Sequence, residues 1–168
     1  MSMKGHKIYA RHSDVREAHK LFLPLIKRCV WVVLEVEKVD IPCEVSVLIT
    51  SNWHIRELNN KFLGIDKPTD VLSFPMHNLI PGQLQLEPHS VDPATGLLPL
   101  GEIVLSAEQV DRQARKLRHS RERETAYLTV HAMLHLLGYD HYGDELEIRS
   151  MREREKLVMM ELGFHDDL

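Results

Sequence analysis

The stretch His131-Ala132-Met133-Leu134-His135-Leu136-Leu137-Gly138-Tyr139-Asp140-His141 decides how the rest of the chain is read. Its first two histidines stand four positions apart. On an α-helix that spacing stacks both imidazoles on one face, about 6 Å apart along the axis. Gly138 takes the left-handed conformation that ends a helix at little steric cost. The chain then turns back, and His141 reaches the same point in space from a loop. Three neutral imidazoles converging from one side suit zinc and leave a fourth tetrahedral position for water. The expected centre is one Zn2+ per chain, held by His131, His135 and His141. A histidine pair at i and i+4 is weak by itself; a third histidine after a helix-ending glycine makes the pattern a strong one. A structural zinc normally closes with four protein ligands, often cysteine. Cys29 and Cys43 lie far away in predicted core elements and read as packing residues.

Two acids stand near these ligands. Glu124 lies one to two turns before His131 on a similar helix face. It reads as a group that orients a ligand histidine or carries a proton, or as an acid that favours the start of a helix. Asp140, beside His141, reads as a hydrogen-bond partner of a ligand histidine or as the tie of the turn. Both are taken forward as candidate catalytic residues.

The spacing H-x-x-x-H-x-x-G-x-x-H is that of the metzincin peptidases, with one change. Those enzymes place Glu directly after the first histidine, as the base acting on the zinc-bound water. Here the position is Ala132, whose methyl group cannot take a proton. Peptide hydrolysis by that route is disfavoured. Zinc itself lowers the pKa of bound water to about 7, so little extra base is needed for another hydrolysis.

Taken with two further blocks, the segment resembles the signature of the YbeY family of bacterial metal-dependent endoribonucleases, roughly H-G-x-L-H-L-x-G-Y-D-H. The second block is Leu58-Asn59 through Asp66-Lys67-Pro68-Thr69-Asp70-Val71-Leu72-Ser73-Phe74-Pro75, and the third is Leu100-Gly101-Glu102-Ile103. The matches follow the family order and cover most of the chain from about Val45 onward. The resemblance implies an endonuclease of single-stranded RNA that matures the 3′ end of 16S ribosomal RNA and serves ribosome quality control. RNA specificity is what the resemblance implies; zinc-ligand spacing says nothing of it. The chain departs from the pattern twice. The glycine after the first histidine is Ala132, which favours helix. The arginine that commonly follows the aromatic residue of the second block is absent, because Phe62 is followed by Leu63. The resemblance implies that this arginine holds phosphate charge, so a cation expected at the scissile phosphate is missing.

The bulk properties bound the rest. A chain of 168 residues is expected to form a single domain over 1–168, with one core of two or three layers. Hydrophobic residues at 43% and charged residues at 27% are ordinary for a soluble globular protein. Two cysteines and no secretory leader point to a reducing cytoplasm. The longest apolar run, Val30 to Leu34, is too short to span a membrane. Net charge is −4, so an RNA ligand requires a local basic patch. Arg112, Arg115, Lys116 and Arg118 form the strongest such cluster, on a predicted helix leading into the histidine segment. They are the candidate contacts to the RNA backbone; an ordinary solvated helix face is the alternative.

The elements follow from periodicity. Ile8-Tyr9-Ala10 reads as an edge strand. From Asp14 a helical pattern carries Leu21, Leu25, Cys29, Val33 and Val36, with Pro24 kinking or starting the helix. Cys43, Val45, Val47 and Ile49 alternate as a strand. Ser51 or Asn52 caps a helix whose inner face carries Ile55, Leu58 and Phe62. Val71 to Phe74 is a strand closed by Pro75, with Thr69, Asp70 and Ser73 on a cleft wall. The stretch 76–99 is proline-rich and aperiodic, and is expected to flank the site as a lid. Glu102 to Leu105 is a strand, and Ser106 with Gln109 reads as a capping box. Ser120 caps the zinc helix, and a last helix carries Ile148, Met151, Glu155, Val158 and Leu162 along one side. His6, His12, His19, His77 and His89 read as solvated. The expected fold is α+β: a small mixed sheet of about four strands packed with about five helices, the zinc helix central. The expected function is a zinc-dependent endoribonuclease acting on single-stranded and ribosomal RNA at the ribosome. Two alternatives are a metallohydrolase of another substrate and a ribosome-associated RNA-binding protein with a structural zinc.

Overall fold

A computed structural model describes residues 5–87 and 89–165. The fold is α+β. In chain order the elements are β1 (Lys7–His12), α1 (Glu17–Lys20), α2 (Leu23–Val36), β2 (Cys43–Thr50), α3 (Asn52–Leu63), β3 (Val71–Pro75), β4 (Leu98–Ser106), α4 (Ala107–Leu117), α5 (Arg121–Leu136) and α6 (Glu145–Glu161). The strands form one sheet in the order β1-β2-β4-β3, with β3 antiparallel to β4 and the other pairs parallel. This is the mixed four-stranded sheet expected from the sequence. α5 packs against α2, α4, α6, β3 and β4, which makes it the central helix.

The alternation in β2 decides how the layers form. Cys43, Val45, Val47 and Ile49 are fully buried and meet the core that α2 and α5 complete. Burying an aliphatic side chain of this kind contributes roughly 1.5–3 kcal/mol. On the opposite face a smaller cluster forms under α3, where Ile55 meets Leu72 and Val104. Gly101 lets α5 lie close against the sheet. Its φ is +147°, and a β-carbon there would stand 2.3 Å from the Phe74 carbonyl oxygen and 2.9 Å from Leu136 Cδ2. No helix among the described residues is long and apolar enough to cross a membrane.

Several local expectations are corrected. The helix read from Asp14 is two pieces, because Pro24 sits in the first turn of α2 and supplies no backbone donor to a turn before it. Leu21 is therefore 78% exposed, and Phe22 takes the buried place. His19 is buried rather than solvated: its Nε2 lies 3.0 Å from Asp111 Oδ1 on α4. Phe62 is 56% exposed and meets Phe74 of the edge strand edge-on, with ring centroids 5.2 Å apart. Ser106 Oγ accepts from Gln109 N–H, but the reciprocal half of the capping box is missing. The Ser106 N–H donates instead to the Asp70 carbonyl, and the Gln109 amide donates to Asn52 Oδ1. The stretch 76–99 leans on the core through Leu79, Leu84, Leu86 and Val91. It packs beside Glu37 and Leu137, and none of its described residues lines the histidine cleft.

Candidate metal centre

Ser120 starts α5 by accepting a hydrogen bond from Arg123 N–H at 3.1 Å. The helix then runs through the core, with Val130, Met133, Leu134 and Leu136 fully buried. His131 and His135 fall on the half-buried side, as the four-residue spacing requires. After Leu136 the chain reverses at Gly138, whose φ is +99°. The Tyr139 N–H closes the turn on the Leu134 carbonyl at 3.0 Å. The reversal carries His141 back to the other two rings.

The three imidazoles form a near-equilateral triangle, with ring centroids 4.7, 4.8 and 5.1 Å apart. One nitrogen from each ring lies within 4.8 Å of the other two. His131 Nε2 is 3.1 Å from His135 Nε2, and His135 Nε2 is 2.9 Å from His141 Nδ1. Two nitrogens each about 2.05 Å from a tetrahedral ion stand roughly 3.3 Å apart, so these separations match a shared metal.

His135 Nδ1 lies 2.8 Å from the Tyr139 carbonyl, which only accepts, so that nitrogen carries the proton. His131 Nδ1 lies 2.5 Å from Glu155 Oε1 and donates to the carboxylate. In the neutral rings both Nε2 atoms then present lone pairs to each other across 3.1 Å. Facing lone pairs repel unless a cation sits between them. Burial, and then the nearness of His131 and His141, hold the His135 pKa below the ordinary value, which keeps it in the ligand form at neutral pH. Among the described residues no acid or cysteine joins the three histidines as a fourth donor.

Glu155 is the carboxylate that sequence reasoning missed. It lies on α6, is buried, and accepts from Tyr127 OH at 3.2 Å as well as from His131. Burial, and then the Glu155 charge, push Tyr127 up to about 12, so it stays a phenol that donates to Glu155. The available signal was an acid in the otherwise apolar stripe of the last helix. Glu124 does not take this place. It is 2% exposed, and its Oε2 lies 3.1 Å from His119 Nε2. Burial raises its pKa, with His119 opposing. Asp140 is exposed and accepts from Tyr142 N–H at 2.9 Å, which fixes the turn that presents His141.

The histidine triangle opens onto a cleft of about 400 Å3. Its other wall is Leu63, Thr69, Asp70 and Ser73, so the second sequence block does face the histidines. Gln113 on α4 donates to Asp70 Oδ2 at 2.9 Å and fixes that carboxylate. No arginine or lysine lines the cleft among the described residues, and Leu63 is 58% exposed at its edge. Arg112, Arg115, Lys116 and Arg118 are exposed on α4 and its C-terminal cap, outside the cleft.

A profile of the family described as Endoribonuclease YbeY matches residues 7–163. A relative named Endoribonuclease YbeY from Thermoanaerobacter sp. is 47% identical over 139 residues, covering 83% of this chain and 86% of the relative. One of the same name from Clostridium botulinum is 42% identical over 146 residues, covering 83% and 87%. The solution structure of a Thermotoga maritima protein aligns with a TM-score of 0.56 at 24% identity, covering 95% of this chain and 97% of that one. The last agreement concerns the fold alone. A family profile that spans residues 7–163, with relatives above 40% identity, leaves one assignment: the chain belongs to the YbeY endoribonuclease family.

Proposed function

We propose that this chain is a zinc-dependent endoribonuclease that hydrolyses phosphodiesters of single-stranded RNA at His131, His135 and His141. The observation that carries the proposal is the pair of Nε2 atoms, 3.1 Å apart, beside a third imidazole at the wall of an open cleft. Three imidazoles suit zinc among the common metals. When bound, zinc polarises a phosphate oxygen and brings the pKa of coordinated water to about 7. The protein contributes the arrangement. Glu155 and the Tyr139 carbonyl hold the Nδ1 protons, so both Nε2 atoms face the same point. Tyr127 holds Glu155 in place through its hydroxyl. Asp140 acts through the turn that carries His141, and Glu124 through its pairing with His119 near the start of α5. Ala132 supplies no base, which argues against peptides as substrate.

The identity to relatives named endoribonucleases supports RNA as the substrate. The substrate is read further as the 3′ region of 16S ribosomal RNA, with a part in ribosome quality control in the cytoplasm. Arg112, Arg115, Lys116 and Arg118 supply phosphate contacts along the strand outside the cleft. One observation favours a second reading. On that reading, with Leu63 at the cleft edge and no fixed cation among its described lining residues, the chain would be a ribosome-associated RNA-binding protein whose zinc is structural. A single assay separates the two. Purified protein is incubated with end-labelled single-stranded RNA, with zinc, with chelator, and with chelator followed by excess zinc. The nuclease reading expects cleavage that chelator removes and zinc restores. An intact strand in the zinc-loaded sample, or cleavage that chelator leaves unchanged, contradicts it.

A further inference from the structure

The histidine cleft has to accept a polyanion without a lysine or arginine in its described lining. The adjoining cavity holds the missing charge. It lies between α5 and α6, measures about 430 Å3, and shares Tyr127 with the histidine cleft. Arg123 on α5 and Arg152 and Lys156 on α6 bring positive charge to its lining, while Met160 and Phe164 bring apolar surface. Arg152, Lys156 and Met160 recur every four residues, so they form one exposed stripe along α6. The lining also holds two acids, Glu124 and Glu155. Glu124 pairs with His119, and Glu155 accepts from His131 and Tyr127. The cavity sets cations beside an apolar surface that includes aromatic rings, and Arg123 also donates to the His165 carbonyl at 3.0 Å. A volume in this range, mostly apolar with a few charged groups, suits a small ligand moiety.

A nucleotide makes the same two demands, a base with an apolar face and a phosphate with a negative charge. We infer that this cavity is a nucleotide subsite of the bound RNA. It takes the base of a nucleotide close to the scissile phosphate against Met160 and Phe164, and that nucleotide's phosphate against Arg152, Lys156 and Arg123. The nuclease reading supplies the identity of the strand; the binding itself is tested without metal or turnover.

The test is fluorescence anisotropy of the full chain in EDTA with a short labelled single-stranded RNA. Arg152→Gln combined with Lys156→Gln is expected to weaken binding about tenfold and to lower the slope of log affinity against log salt by about 0.7, the loss of one phosphate contact. Both side chains are exposed, so the variant is expected to melt with the wild type. Arg152→Lys combined with Lys156→Arg is expected to keep the wild-type slope. An abasic strand of the same length is expected to bind the wild type several-fold more weakly. Unchanged affinity and slope in the glutamine variant overturn the subsite. So does an abasic strand that binds as tightly as the intact one, which is how an acidic protein partner's site would behave. If zinc-loaded wild type fails to cleave while the glutamine variant still loses affinity, the nuclease reading falls and the subsite stands. If cleavage is normal and the glutamine variant binds and cleaves as wild type, the subsite falls and the nuclease reading stands.

Discussion

His135→Ala is expected to lose zinc and RNA cleavage together, the rate falling by about a thousandfold or more, as when a principal catalytic group is removed. His135 Nε2 is the middle of the triangle, 3.1 Å from His131 and 2.9 Å from His141, so its loss leaves two donors that no longer close around an ion. A graded partner to this variant is Glu155→Gln. Glutamine keeps the size and an acceptor oxygen but removes the charge that His131 Nδ1–H faces. Groups that hold a ligand histidine from behind typically cost 10–100-fold in metal affinity when changed, so a loss of about that size is expected here. Zinc affinity is read by competition with a coloured chelator, and cleavage on the same samples. Cleavage that survives in His135→Ala marks a contaminant or a site elsewhere. Wild-type zinc affinity in Glu155→Gln reduces Glu155 to a packing residue.

Gly138→Ala is expected to destabilise the fold by roughly 3 kcal/mol, from backbone strain and overpacking of about 1–3 kcal/mol each. Two facts combine at this position. The φ of +99° is one that residues with a β-carbon rarely adopt, and an added β-carbon would stand 2.0 Å from the Leu79 carbonyl oxygen and 2.7 Å from the Leu79 carbonyl carbon. The neighbour is backbone, held by a segment that leans on the core, so it cannot swing aside as a long side chain would. Relief comes only by moving the 79–80 segment or the turn that carries His141. The melting temperature of the metal-free protein should fall by roughly 10 °C, at 2–4 °C per kcal/mol for a chain of this size, and zinc affinity should fall with it. Gly82→Ala is the matched comparison. Its φ is +75° but nothing stands within 4 Å, so only the cost of the left-handed backbone remains, about 1–2 kcal/mol. Equal losses for the two variants contradict the close approach of Leu79 to Gly138.

The parts of this molecule that local rules govern were legible in its sequence. Two histidines four apart must share a helix face, and a glycine after them lets the chain reverse, so the triangle follows from eleven consecutive residues. Strand β2 was legible because alternation along a strand maps directly onto buried and open faces. The parts that depend on distant packing were not. Glu155 reaches His131 from 24 positions away, across the α5–α6 contact, and an acid in the apolar stripe of α6 gives no sign of which residue it meets. His19 looked solvated because its partner, Asp111, stands 92 positions later. Glu124 looked like the ligand's partner because it lies before His131 on the same helix, and the structure turns it to His119 instead. The stretch 76–99 has the composition of a lid, yet its leucines and Val91 find the core. Aperiodic sequence carries no signal of which way such a segment folds. The cavity between α5 and α6 was invisible for the same reason, since its cations come from two helices and its apolar side chains from α4, α6 and the segment after it.

The central claim is that one metal ion sits among three imidazole nitrogens with a coordination position left to solvent or substrate. Anomalous diffraction at the zinc edge, on crystals of the zinc-loaded protein, tests it most directly. The expected result is a single peak about 2.0–2.1 Å from a nitrogen of each of His131, His135 and His141, with its fourth neighbour a non-protein oxygen facing the cleft. A peak elsewhere, or a fourth protein side chain completing the tetrahedron, contradicts the claim.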